Sequence, residues 1–221
     1  MEDIDRLKQH IRNHAVNSFP KEFLIDLQKR TERAYQDTYA EVAHSKTTLP
    51  EQRIHKLRQE RCFRMDYELA QAAKKFDIPY TAKQLAENDW QFTYVTSGNF
   101  GATQSYVPQM GCLPSPAKFR DTLARAATIP RLPIDDDAEI FKERKFYGLF
   151  AHNPIGPIFD EEKQKLGSIQ LCVPYEDMKK YALEVSVAEL LADYPSETKP
   201  SVAIPSPTWK RDTKRKDTGT E

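Results

Sequence analysis

Thr48-Leu49-Pro50-Glu51 separates two long stretches of helical periodicity and constrains the fold more than any other segment. A threonine followed three residues later by glutamate reads as a capping box, with proline inside the first turn, where its missing N–H costs nothing. Downstream, Ile54, Leu57, Met65, Leu69, Ala72, Ala73 and Phe76 carry an apolar stripe. Upstream, Ser18 offers an N-cap, Pro20 suits a first turn, and Phe23, Leu24, Leu27, Ala34, Tyr35 and Val42 form a second stripe. Two helices of roughly 25 residues, each about 38 Å long at ~1.5 Å per residue, must fold back on each other when so short a segment joins them.

A shorter amphipathic helix over 3–17, marked by Ile4, Leu7, Ile11 and Val16, precedes this hairpin, so residues 1–89 are expected to form a helical arm. Charges such as Lys29, Arg30, Glu32 and Arg33, or Arg58, Glu60, Arg61 and Arg64, exceed what one buried seam needs. One face of the arm therefore meets water, a partner, or a second copy of the chain.

Beyond the arm the periodicity changes. Thr81-Ala82-Lys83-Gln84 reads as a capping box for a short helix to Asn88, after which Trp90, Phe92 and Tyr94 alternate with polar residues as a strand does. Ser97-Gly98-Asn99-Phe100-Gly101 supplies a turn, and 103–107 returns as the partner strand. A short helix is expected from Ser115-Pro116, two more strands over 143–151 and 166–173, and a helix over 175–193 stopped by Pro195. The expected fold class is α+β: two long helices preceded by a shorter one, then a small, mostly antiparallel sheet of about four strands covered by helices. The arm (1–89) and the body (90–194) are followed by 195–221, which is expected to be a disordered basic tail because it offers almost nothing to bury.

Thirty-three basic and 33 acidic side chains cancel, so no whole-molecule field steers the chain toward nucleic acid or anionic lipid, and any such binding is local. Three cysteines, Cys62, Cys112 and Cys172, leave one over after any pairing and argue for a reducing compartment. With a charged N-terminus and no long apolar run, the expectation is a cytoplasmic protein that does not enter membranes.

His10 and His14 stand at i and i+4, the spacing at which two imidazoles share a metal, but Ile11 replaces the glutamate of a zinc-protease helix and no third ligand is indicated. No cofactor is expected. The pieces for nucleophilic catalysis are Cys112 as thiol, His152 as base and Asp136 as orienter, which together would make a hydrolase or transferase. DIPYTAKQLAEN has the texture of the first helix of a helix-turn-helix, so residues 78–107 with the basic tail make DNA binding a second alternative. An aromatic at a turn tip, Phe100, and the tail's Trp209, Lys210, Arg211, Lys214, Arg215 and Lys216 are the partner-binding candidates. Because no catalytic set declares itself, the function expected first is a non-enzymatic binding or regulatory protein acting on a macromolecular partner, a protein before a nucleic acid.

Overall fold

The computed structural model describes residues 2–84, 91–127, 129 and 145–195. Three helices lead: α1 (Glu2–Ser18), α2 (Lys21–Ala43) and, after a single 3-10 turn at Pro50–Gln52, α3 (Arg53–Lys75). Next come β1 (Tyr80–Gln84), β2 (Gln91–Ser97), β3 (Phe100–Tyr106), α4 (Lys118–Ala127), β4 (Phe146–Pro154), β5 (Leu166–Pro174), β6 (Tyr181–Ser186) and α5 (Val187–Ala192).

The long helices form the antiparallel hairpin that their short connection demands. Ion pairs cross it at Lys75–Asp26, Arg30–Glu68 and Arg64–Asp37, with partners climbing one helix as they descend the other. The caps differ from expectation. Leu49, not Thr48, occupies the cap of the 3-10 turn without a side-chain bond, while the Thr48 hydroxyl meets Ser45 and Lys56. Pro20 takes the N-cap of α2, and the Ser18 carbonyl instead accepts the Ser97 hydroxyl, tying the α1–α2 junction to the first hairpin turn.

The strands form one six-stranded sheet in the order β1-β2-β3-β4-β5-β6, antiparallel throughout except for β3 and β4. The sheet is mixed, and it has two strands more than expected. Both extra strands fall where helices were read. Thr81–Gln84 pairs with β2 from Tyr80↔Val95 to Gln84↔Gln91, so partner backbone outweighs the local capping signal; the rest of that expected helix lies outside the described residues. Of the helix expected over 175–193, only Val187–Ala192 is helical. Met178 turns at φ 53, Tyr181–Ser186 pairs with β5, and the start of α5 is a true capping box between Ser186 and Glu189.

One core cluster joins α1 (Ile11, Ala15), α2 (Phe23, Leu24, Leu27) and α3 (Leu69, Ala72, Ala73) to Val95, Phe100, Phe150 and Leu171 of the sheet. The arm therefore lies on the sheet as a packed layer and does not project. On the opposite face α4 and the loop after β3 cover Tyr147, Leu149, Ala151 and Cys172. Two glycines let aromatic rings cross the sheet surface. A Cβ on Gly148 would meet the Phe100 ring at 2.7 Å, and one on Gly101 would run into Tyr94.

Phe100 is therefore not an exposed turn tip. The two-residue turn is Gly98-Asn99, with Gly98 at φ 55, and Phe100 opens β3 with its ring 5.4 Å from Phe19 and 5.9 Å from Phe146. It is 1% exposed, so its assignment to partner binding falls. Truncation to alanine is expected to cost about 3–5 kcal/mol in urea unfolding, as for a buried phenylalanine. A ring at a solvated tip would cost under about 0.5 kcal/mol.

Candidate functional site

His152 and Cys112 sit on opposite faces of the sheet. His152 leaves β4 toward α2, where the Tyr35 hydroxyl lies 2.7 Å from Nδ1. The Cys112 carbonyl accepts from the Tyr181 hydroxyl at 3.1 Å, beside the α4-side core. A thiol and base on two sides of a continuous sheet cannot act as a pair, so the expected catalytic arrangement does not form. Asp136, and Trp209 with the cations of the tail, lie outside the described residues.

His152 belongs instead to a chain of buried polar groups running from the helical layer into the sheet. Nε2 lies 3.0 Å from the Gln104 Oε1 on β3, so it donates, and Nδ1 then accepts from Tyr35, which defines a neutral imidazole. Gln104 Nε2 donates onward to the Cys62 carbonyl on α3 at 3.2 Å. Beside this chain the fully buried Arg61 guanidinium stacks 4.0 Å over Tyr35 and donates at 2.6 Å to both the side chain and the main-chain carbonyl of Gln164. Burial, with Arg61 adding repulsion, holds His152 down at about 3. It is a packing residue at neutral pH.

The pairing of β2 with β3 extends only from Ser97↔Phe100 to Val95↔Ala102, and α3 takes over beyond it. Asp66 accepts the Thr93 N–H at 3.0 Å, and its main-chain carbonyl accepts the Thr93 hydroxyl. Burial pushes the Asp66 carboxyl up to about 6, against the pull of the Thr93 N–H, Gln104 and Arg120.

The histidine pair expected for a metal is built into aromatic packing: the His10 and His14 rings are 4.7 Å apart, edge to face, and His14 lies 4.9 Å from Phe146. Among the described residues no group of three His, Cys, Asp or Glu side chains is placed to hold a metal ion. No helix among them is long and apolar enough to cross a membrane. The helix read as the first of a helix-turn-helix is the edge strand β1 over its described part, so no recognition-helix pair forms there.

An open trough of about 720 Å³ lies at the β6 edge of the sheet. Its floor is Tyr181–Glu184, one wall is α1 with Asp5, Lys8, Gln9 and Arg12, and the other is the loop after β3 with Gly111 and Leu113. Lys179 and Lys180 flank the entry to the strand. The walls are fastened. The N–H of Gly111, whose φ of 79 suits glycine, donates to Glu184 at 2.7 Å, and Arg12 donates two hydrogen bonds to the Asp193 carboxylate at 2.8 and 2.9 Å. Among the described residues β6 pairs only with β5, so its outer edge opens into the trough.

Lys8, Arg12, Lys179 and Lys180 were not singled out from sequence. Lys8 and Arg12 do show as an i,i+4 pair on the polar face of α1, but nothing local connects them to residues 179–184. At the other edge Phe63, Tyr67 and Tyr80 are 49%, 55% and 41% exposed. Comparison with protein-family models, curated proteins and solved structures gives no match.

The two shifted groups act in opposite directions on stability. Unfolded His152 takes up a proton near 6.5 that the folded residue refuses until about 3, so its contribution is complete above 6.5 and is lost as pH falls through that window. Asp66 contributes below 3.8, and its contribution is lost as pH rises through about 6. In urea titrations between pH 4 and 6, His152→Gln should flatten the rise of stability with pH, and Asp66→Asn should steepen it. Each change is expected to reach at most about 1.4 kcal/mol per pH unit.

Proposed function

We propose that this is a non-enzymatic binding protein that takes up an extended segment of a protein partner along the outer edge of β6. The single observation that supports the reading is the trough itself, whose floor is a strand edge unpaired among the described residues and whose walls come from the two layers that sandwich the sheet. A free strand edge presents a row of backbone N–H and C=O groups, and the chemistry that satisfies them is another extended backbone. Walls on both sides limit access to something one strand thick, because layers packed on a sheet stand only about 10 Å from it.

Part of the helical arm keeps a role in this reading, though not the one its excess charge suggested. The apolar faces of α1, α2 and α3 are consumed by the sheet, and the polar face of α1 becomes a wall. The partner's backbone supplies affinity, and the side chains on the two walls select among partners.

Photo-crosslinking amino acids at Lys8 and Leu113, one on each wall, test the proposal. Both should react with one short segment of the same partner, and a residue placed at Lys83 on β1 should not. Adducts confined to Lys83, Phe63 or Tyr67 would move the interface to the opposite edge. Adducts to a second copy of this chain would replace the partner with self-association.

A further inference from the structure

Resting on that reading, we infer that the trough selects an acidic strand, one whose alternate side chains are carboxylates. Four cations line it, Lys8, Arg12, Lys179 and Lys180, against two carboxylates, Asp5 and Glu184. Glu184 keeps its negative charge while accepting the Gly111 N–H, and Arg12 is matched by Asp193. Among the described residues no ion pair joins Lys8, Lys179 or Lys180 to a carboxylate, and these three cations exceed Asp5 and Glu184 by one, so a net positive charge remains at the place where an incoming strand would lie.

The two walls differ in chemistry, and a strand presents its side chains alternately to two sides. Residues on the α1 side meet Lys8 and Arg12, while those on the other side meet Gly111, Leu113 and the Glu184 carboxylate that Gly111 holds, which offer nothing to an acidic side chain. The ligand that matches is a segment with Asp or Glu at every second position and small or β-branched residues between. The strand β6 has six residues, and a partner of that length spans about 20 Å. Nucleic acid carries the charge but not the backbone donors and acceptors that a strand edge requires, so a polypeptide is the occupant the floor favours.

Fluorescence anisotropy with the full chain tests this, using a labelled peptide of about ten residues alternating Glu and Thr, about one strand length plus ends. The controls are the Gln-Thr peptide and the Glu-Thr peptide N-methylated at every residue, which leaves neither edge a donor. The acidic peptide is expected to bind about tenfold more tightly than the Gln form, as three partly exposed charge pairs allow, and to weaken with added salt. The triple variant Lys8→Gln, Lys179→Gln, Lys180→Gln, checked by an unchanged melting temperature, should lose that advantage and keep the weaker binding of the Gln peptide. Lys83→Gln should change neither. Equal binding of the Glu and Gln peptides would overturn the acidic selectivity and leave strand addition standing. Undiminished binding of the N-methylated peptide, or no binding by any peptide, would overturn both. Tighter binding of an oligothymidine than of the acidic peptide would overturn the choice of a polypeptide.

Discussion

The buried chain from Tyr35 through His152 and Gln104 to the Cys62 carbonyl couples the helical layer to the sheet, and the placement of everything else depends on it. Each member has a partner for the group it turns inward, and removing one strands a donor or acceptor where water cannot replace it. Apolar packing alone would let helices slide over a sheet in several near-equal positions. Directional bonds from α2 and α3 to β3 and β4 select one of them.

Arg61 extends that coupling to the other end of the hairpin. It is a fully buried cation with no carboxylate in contact among the described residues, and its charge is met by the Tyr35 ring and the two oxygens of Gln164. Gln164 in turn donates to the carbonyls of Gly156 and Ile158, so the β4–β5 connection is folded around the guanidinium. Losing one partner of such a cluster is costly because the charge would stay buried unmatched. The side chain that anchors the distal half of the arm is the same one that shapes the loop beneath it.

With the helices held on one face and α4 on the other, the sheet is covered on both faces but, among the described residues, not along its edges. At β6 the two covering layers overhang the last strand and make a trough. At β1 all five residues are exposed and no second wall is described. The proposed strand addition at β6 would draw its selectivity from this asymmetry, because flanking side chains decide which sequence can lie along a strand edge.

Where periodicity was long and self-contained, sequence was enough. The helices α1, α2 and α3, the turn at Gly98-Asn99, and the strands β2 to β5 follow from apolar spacing and turn residues that act within a few positions of each other. The errors share a cause: Thr81–Gln84 and Tyr181–Ser186 have local signals for helix, and only a neighbouring strand's backbone makes them extended. Sequence also marked Phe100 and His152 as unusual residues, yet it could not show that both point into the helical layer. Burial, pairing across the sheet and the meeting of α1 with β6 were decided by tertiary structure, because they depend on groups far apart in the chain whose bonds exist only once the layers have packed.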